Sequence, residues 1–248
     1  MEEKKSKRSK ILTIVGRILI ILLIFAGVGL YIFADDYYRP STTATDALKY
    51  SQKVTFLEQD GDLIFTPDEI KGGVIIYPGG KVSEKAYGYL AHKIADMGYK
   101  TIVVKVPLKL SILSNNAGKK YLKDDEVDQW AVMGHSLGGI SASRLAKRNN
   151  EVIEALILLA SYPDNGVNLK EEDLKVFSLV GDKDGVINED QLETSRARLP
   201  DDTIYTLIPG GNHASFGNYG VQEGDNLPDI SYDEQQDYVL EAVKEAFK

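Results

Sequence analysis

The chain contains no cysteine, and this absence excludes several classes of protein at once. A disulfide-stabilised scaffold, a metal site built on thiolates, a lipid-modified cysteine anchor and a thiol nucleophile all need that side chain. Histidine and tryptophan are scarce, with three and one residues among 248. The rest is ordinary, with 43% hydrophobic and 27% charged residues. Wholesale disorder is therefore excluded as well, and the length suits one α/β domain or two small ones.

The larger part of the chain also lacks an excess of positive charge. Residues 1–34 carry six Lys or Arg and two Glu, a net of +4, which leaves −12 for residues 35–248 out of the total of −8. Binding to nucleic acid needs a basic face that displaces counterions from the phosphates. The acidic body therefore predicts that nucleic acid is not a partner.

A long apolar run follows the basic N-terminal residues. Ile11–Ala34 is interrupted by one charge, Arg17. As a helix that rises about 1.5 Å per residue, it would be roughly 36 Å long, against a bilayer hydrocarbon core of about 30 Å. Arg17 is close enough to the basic end for its head group to reach the interface. We therefore predict a transmembrane anchor in contact with membrane lipid at residues 11–34, in preference to a buried core helix.

The flanking charges predict the topology of this anchor. Lys and Arg accumulate on the cytoplasmic side of a span, so the basic tail, residues 1–10, is expected in the cytoplasm. The body, which begins with Asp35 and Asp36, is then extracytoplasmic at the cell membrane. A signal peptide cleaved after Ala34 is the alternative, although the apolar run exceeds the usual h-region of about 7–15 residues.

The next segment, residues 35–53, contains Pro40, Ser41 and a Thr pair, which discourage regular structure. We expect it to be a polar tether. The folded domain is predicted to span residues 54–248.

Short apolar runs alternate with helical patterns along this domain. Asp60-Gly61 is typical of a hairpin turn with φ > 0 at both central residues, and Ser231 with Glu234 forms a capping box. Apolar strands that alternate with helices predict a doubly wound, mostly parallel sheet with helices on both faces. Only 15 residues separate Ala160 from Val176, which leaves no room for a large lid. The predicted strands are 54–57, 63–65, 73–77, 101–104, 130–133, 155–159, 176–180 and 204–208, and the predicted helices are 83–97, 137–148, 190–199 and 232–248, with 109–123 irregular.

A G-x-S-x-G string carries the first chemical signal. It runs from Gly134 to Gly138 with Ser136 at its centre, between a predicted strand and a predicted amphipathic helix. This strand–turn–helix context is what a nucleophile elbow requires. Flanking glycines are needed there because a Cβ would clash with neighbouring backbone. Ser136 is therefore the predicted nucleophile.

A serine hydroxyl is a weak nucleophile that needs a general base, and only three histidines are available. His92 lies off the apolar face of a predicted helix, so it is expected to be a solvated surface residue. His135 is held beside Ser136 on the turn and points elsewhere. His213 follows the strand 204–208 in a loop that can reach over the carboxyl edge of the sheet. His213 is therefore the predicted base.

The third member of such a triad is a carboxylate on another loop after a strand. Strand 176–180 is followed by two candidates, Asp182 and Asp184. Asp184 is preferred because it lies far enough past the strand to turn back toward the histidine, and Asp182 is the alternative. The glycine spacing does not match a calcium loop, so no metal and no cofactor are expected.

Four separated segments resemble the motifs of α/β-hydrolases, in the Ser…Asp…His order typical of that superfamily. The segments Tyr77–Val82 and Gly210–Gly220 look closer to the dienelactone-hydrolase-like branch, α/β-hydrolase fold-5. The resemblance runs from about Gly73 to the C-terminus. Two departures stand out: dienelactone hydrolases proper use a cysteine where this chain has Ser136, and Ser215 stands where the branch has glutamine. The dienelactone substrate class therefore does not carry over. The segments are Tyr77–Val82 (YPGGKV), Gly134–Gly139 (GHSLGG), Gly181–Val186 (GDKDGV) and Gly210–Gly220 (GGNHASFGNYG).

The resemblance implies acyl transfer through Ser136, with an oxyanion hole made of backbone N–H groups. One donor is expected at Leu137, directly after the nucleophile, and the second at Gly80, with Lys81 in reserve. The substrate pocket is expected to be open, with the segment Leu108–Leu113 on its rim. Its tentative residues are Lys81, His135, Tyr162, Phe216 and Tyr219.

We therefore expect a membrane-anchored serine hydrolase of the esterase type, acting on a carboxylic ester or similar acyl substrate. The substrate is a small molecule or an acyl group of the cell envelope, and an open site fits short acyl chains better than long ones. Two alternatives use the same fold: an acyltransferase with the same triad, and a binding module without catalysis. A test of the reactivity of Ser136 discriminates the binding module from the enzymes.

Overall fold

The computed structural model describes residues 2–49 and 51–248, with the backbone alone for residues 2–15. It divides into two compact units, Met1–Tyr37 and Tyr38–Lys248. The first unit contains one long helix, α1, over Glu2–Asp35. Its part Gly16–Asp35 has a mean hydropathy of 2.5. A helix of that length rises about 30 Å, which is the thickness of the hydrocarbon core. This part is long and apolar enough to span a membrane.

The second unit is built on one eight-stranded sheet with the order β1-β2-β4-β3-β5-β6-β7-β8. β2 runs antiparallel to both of its neighbours, and all other neighbouring strands are parallel, which confirms the predicted sheet. The strands are Val54–Gln59 (β1), Asp62–Pro67 (β2), Gly72–Tyr77 (β3), Tyr99–Val103 (β4), Trp130–His135 (β5), Ile153–Leu159 (β6), Lys175–Gly181 (β7) and Ile204–Ile208 (β8).

Helices cover the sheet on both faces, because the apolar strands present side chains alternately to each side. Val74 and Ile76 of β3 belong to a core that includes residues of the helices Gly88–Asp96 and Tyr232–Ala246. Ile75 and Tyr77 belong to a second core that includes residues of the helix Leu137–Arg148. The helices are Thr42–Asp46 (α2), Gly88–Asp96 (α3), Leu137–Arg148 (α4), Glu189–Ser195 (α5) and Tyr232–Ala246 (α6), and residues 84–87, 107–109, 111–114, 117–123, 196–198 and 214–216 form short 3₁₀ turns.

Local signals in the sequence are confirmed at several turns. Asp60 and Gly61 both have positive φ, 54° and 86°, in the hairpin between β1 and β2. Ser231 and Glu234 exchange their capping-box hydrogen bonds at the start of α6. No helix occurs between Leu159 and Lys175, so the predicted absence of a large lid holds for this connection.

Two expectations are wrong. Residues 38–48, which we call the strap, belong to the second unit and are not a tether: they include α2, and Ala44 has no exposed surface. The reason is that Ser41 caps α2, its Oγ accepting the Ala44 N–H over 3.1 Å, so the polar residues start a helix. His92, expected to be a solvated surface residue, is half-buried instead, because the strap covers it: its Nδ1 lies 2.8 Å from the carbonyl oxygen of Ala47.

Candidate active site

Ser136 lies on a sharp turn between the end of β5 and the start of α4. Its backbone has φ 50° and ψ −122°, a region that costs a non-glycine residue about 1–3 kcal/mol and persists where the surroundings enforce it. The Ser136 N–H donates to the carbonyl of Leu159 over 2.9 Å, and the Ser161 hydroxyl donates to the carbonyl of Ser136 over 2.6 Å. The motif is therefore built as a strained strand-to-helix elbow, held from β6 and the loop after it.

The motif glycines are required by a close approach of backbone segments. A Cβ on Gly134 would lie 2.4 Å from the carbonyl oxygen of Gly138, and one on Gly138 would lie 2.2 Å from the carbonyl oxygen of Tyr77. Both distances are far inside van der Waals contact with backbone that cannot rotate away. The glycines therefore fix where α4 begins relative to β3 and β5.

His213 and Asp184 lie on the loops that follow β8 and β7. The Nδ1 atom of His213 is 2.8 Å from Oδ2 of Asp184, and only 2% and 1% of the two side chains are exposed. The other carboxylate oxygen, Oδ1, accepts the N–H groups of Val186 and Ile187 over 2.9 and 2.8 Å. The carboxylate is therefore fixed in place, and it directs the proton of the imidazole to Nδ1, which leaves Nε2 as the basic nitrogen.

Asp182, the alternative carboxylate, is bound elsewhere. Its Oδ1 accepts the Gly210 N–H over 2.7 Å, and its own N–H donates to the carbonyl of Ile208 over 3.1 Å. These bonds hold the turn after β8 against the end of β7. Asp182 therefore supports the histidine loop, whereas Asp184 contacts the imidazole.

Ser136 and His213 line the same cavity, which has a volume of about 200 Å³. Most of its wall is apolar, and two polar side chains, Ser161 and Asn188, complete it. The remaining lining residues are Leu137, Ile140, Ala160, Tyr162, Val186 and Ile187. Ser136, His213 and, through His213, Asp184 are thus brought together at one apolar pocket.

The two predicted oxyanion donors, the N–H groups of Leu137 and Gly80, lie on adjacent residues beside Ser136. Leu137 is the first residue of α4, and a Cβ on Gly80 would lie 3.2 Å from Cδ2 of Leu137, so the two residues are adjacent. Within residues 2–49 and 51–248, neither N–H has a hydrogen-bond partner. The N–H of Lys81 donates to the carbonyl of Lys109 over 2.8 Å, which removes Lys81 as the reserve donor.

A buried hydrogen-bond chain connects the elbow with the loop that carries Gly80. The N–H of Gly79 donates to the hydroxyl oxygen of Tyr87 over 2.9 Å, and that oxygen lies 2.7 Å from Nδ1 of His135. The Tyr87 hydroxyl thus joins the backbone of the Gly79 loop to the imidazole of His135. Burial, with the neighbouring His213, holds the pKa of His135 well below its usual range.

The structure places one of the five predicted pocket residues at this cavity. Tyr162 lines the cavity, but His135, Phe216 and Tyr219 are buried, with 1%, 0% and 8% of their surface exposed, and they do not reach it. Their rings pack on one another, with the His135 ring 5.9 Å from Phe216 and 6.4 Å from Tyr219. Aromatic side chains expected at the rim therefore form the wall behind the imidazoles. Lys81 is half-buried and also lies outside the lining.

The segment Leu108–Leu113, expected on the rim, lies beside the elbow without lining the cavity. The Ser111 hydroxyl donates to the carbonyl of Leu137 over 3.0 Å, whereas Ile112 and Leu113 are 43% and 54% exposed. Tyr87 and Ser161 are not predicted from the sequence, because neither lies in a motif. Val186, the last residue of the GDKDGV segment, and Ile187 and Asn188, which follow it, line the cavity without having been expected there, although the motif points to them.

Comparison with known proteins identifies the family of the chain. A model of the alpha/beta hydrolase family matches residues 73–237, more than half of the chain. The chain therefore belongs to the alpha/beta hydrolase family, as the four motifs predict. No curated protein sequence gives a significant match to the chain.

Several solved structures share the fold. The dienelactone hydrolase of Anabaena variabilis has a TM-score of 0.58 at 14% identity, over 79% of this chain and 98% of its own. The naproxen esterase of Bacillus subtilis has a TM-score of 0.56 at 15% identity, over 83% of this chain and 94% of its own. Est1E of Butyrivibrio proteoclasticus has a TM-score of 0.54 at 18% identity, over 79% and 99%. At these identities the likeness shows the fold, and esterases are among the proteins that share it.

Proposed function

We propose that this protein is a membrane-anchored serine hydrolase that cleaves a carboxylic ester or a similar acyl substrate through an acyl-enzyme. The observation that carries the proposal is the position of Ser136 on a strained elbow, in one cavity with His213, whose Nδ1 is bound to Asp184 over 2.8 Å. A nucleophile, a base and a group that orients the base are the three parts that activate a serine.

In the proposed first step, Oγ of Ser136 attacks the acyl carbon while Nε2 of His213 takes the hydroxyl proton. Asp184 keeps the imidazole in the required tautomer and stabilises its cationic form. The N–H groups of Leu137 and Gly80 donate to the oxyanion, and loss of one such donor costs about 10²–10³ in rate. His213 then returns the proton to the leaving alcohol. Water, deprotonated by His213, then attacks the acyl carbon; the bond to Oγ of Ser136 breaks, the acid leaves, and His213 returns the proton to Oγ.

The size of the cavity favours a short acyl group. Its volume of about 200 Å³ lies below the range of about 300–1,000 Å³ typical of sites for drug-sized ligands. Apolar side chains such as Ile140 and Val186 suit a hydrocarbon chain, and without a lid nothing lengthens the site. A small-molecule ester or a short acyl group of the cell envelope fits this description better than a long-chain lipid.

The activity is tested with the full chain in detergent. Wild-type protein should be labelled by a fluorophosphonate probe and should hydrolyse p-nitrophenyl acetate, and Ser136→Ala should lose both. Ser51→Ala is the control, since it removes a serine hydroxyl outside this cavity, at the turn before β1. Turnover should fall steeply from butyrate to octanoate esters. Turnover or labelling that survives in Ser136→Ala would contradict the proposal.

The anchor is proposed to hold the N-terminus in the cytoplasm and the catalytic unit outside, in the cell membrane. The basic residues before the span and the acidic pair after it support this topology. Protease added to intact cells should digest the body and spare a tag placed at residue 1. A body that resists the protease in intact cells, but not in lysed cells, would reverse the topology.

A further inference from the structure

The strap contacts the loop that carries Gly80. The Tyr38 N–H donates to the carbonyl of Lys81 over 2.7 Å, and the Ser83 N–H donates to the carbonyl of Tyr38 over 3.1 Å. These bonds flank Val82, with which Tyr38 forms a parallel β-bridge. The backbone is therefore held by the strap directly after the proposed oxyanion donor.

The same part of the strap contacts the histidine loop. The N–H of Ser41 donates to the carbonyl of Asn218 over 2.8 Å, and its hydroxyl donates to Oδ1 of Asn218 over 2.6 Å. The Tyr38 ring packs 5.2 Å from the ring of Tyr219, and its hydroxyl oxygen accepts the Glu223 N–H over 3.3 Å. The strap therefore fixes the chain shortly after His213.

A row of packed rings extends from the strap to the imidazole of His213. Tyr38 packs on Tyr219, the Tyr219 ring lies 6.4 Å from His135, and the His135 ring lies 4.8 Å from His213. Tyr219 and His135 are buried, so this row has little freedom to shift. The Tyr38 ring closes its outer end.

The far end of the strap is fixed on α3. Ala44 is fully buried, and its carbonyl oxygen would lie 2.8 Å from a Cβ on Gly88, so only glycine permits this approach. The Ala47 carbonyl contacts Nδ1 of His92, and Leu48 packs against the core. Both ends are therefore held, as a brace requires.

We infer that Tyr38 and Ser41 are positioning residues that set the separation between His213 and the N–H of Gly80. The two loops follow β8 and β3, which are separated in the sheet by three strands, so strand pairing does not fix their distance. Apart from the strap, the part of the chain that the structure describes shows one backbone hydrogen bond between the two loops, from the Asn218 N–H to the Ala86 carbonyl. This inference rests on the proposed function, because it assigns a catalytic consequence to the brace.

Kinetic measurements on the full chain in detergent test the inference, with rates expressed per site titrated by fluorophosphonate. Tyr38→Ala should lower kcat about 10–100-fold with KM changed less than about threefold, since misplaced groups cost rate more than binding. Tyr38→Phe keeps the ring and should restore most of the activity. Tyr238→Ala is the matched control, because this tyrosine of α6 is 40% exposed. Ser41→Ala should have a smaller effect than Tyr38→Ala, and Thr42→Ala, with an exposed side chain, should have none.

Amide hydrogen exchange supplies a readout that needs no turnover. In Tyr38→Ala, residues 79–86 and 213–223 should exchange faster than in wild type, and in Tyr238→Ala they should not. Unchanged exchange, or a kcat per titrated site equal to that of Tyr238→Ala, overturns the inference. If Tyr38→Ala does not fold, Ser41→Ala against Thr42→Ala decides it by the same two readouts. A wild type without turnover or labelling refutes the proposed function, while exchange still decides whether the brace exists.

Discussion

Asparagine at position 184 should lower kcat about 10³–10⁴-fold without disturbing the fold. Oδ1 of Asp184 accepts two N–H groups, from Val186 and Ile187, and the amide oxygen of asparagine can accept both. The amide NH₂ then takes the place of Oδ2, 2.8 Å from Nδ1 of His213, where it can only donate. The imidazole is forced to carry its proton on Nε2, so it cannot accept the proton of Ser136.

Asp182→Asn provides the matched comparison, two residues away. Its carboxylate accepts the Gly210 N–H over 2.7 Å, a bond that the amide oxygen of asparagine preserves, so kcat should stay within about threefold of wild type. The assay is p-nitrophenyl acetate hydrolysis at saturating substrate, with thermal melting as the check on the fold. The assignment of Asp184 would be refuted if Asp184→Asn kept more than about a tenth of the wild-type kcat, or if Asp182→Asn were the more damaging change.

Three further perturbations follow from the same contacts. Tyr87→Phe leaves two buried groups without their partner and should lower the free energy of unfolding by about 1–3 kcal/mol in urea titrations, with a fall in kcat. Gly138→Ala places a Cβ 2.2 Å from the Tyr77 carbonyl and should lower the free energy of unfolding by more than about 3 kcal/mol, or yield no folded protein. Gly166→Ala is the control, because its Cβ meets only a side chain at 3.3 Å and should lower that free energy much less. The pKa of His135 is held well below 6.5 in the folded chain, so the unfolded chain takes up more protons in acid. The free energy of unfolding should therefore fall as the pH drops below about 6.5, by up to about 1.4 kcal/mol per pH unit. His135→Gln should flatten this dependence, as measured by urea titrations at pH 7.5 and 5.5.

The candidate catalytic positions could be named from the sequence because the chemistry of a serine nucleophile leaves few choices in it. A chain with three histidines and one G-x-S-x-G string offers few ways to assemble a base and a nucleophile. The parallel sheet then places the loops after β5, β7 and β8 at one edge, which is where Ser136, Asp184 and His213 lie. Strand periodicity and motif spacing were therefore enough to name these residues. Their roles await the experiments above.

Contacts between distant segments could not be predicted in the same way. The strap looks like a linker, because Pro40, Ser41 and the threonines are typical of loops, and its burial depends on surfaces of α3 and of the histidine loop. Phe216 and Tyr219 were expected at the rim because aromatic residues in a loop can line a pocket. Both turn inward instead and pack against the ring of His135, on which the Tyr87 ring also packs.

The pair of adjacent histidines shows how the surroundings select one of two similar bases. The rings of His135 and His213 are 4.8 Å apart, and a cation on either disfavours a cation on the other. His213 is bound to the carboxylate of Asp184, which stabilises an imidazolium, whereas His135 is bound to the neutral hydroxyl of Tyr87. In the proposed mechanism the proton of Ser136 therefore goes to His213 and not to His135. The second histidine packs against the site on the hydroxyl of Tyr87, without a carboxylate that would stabilise its cation.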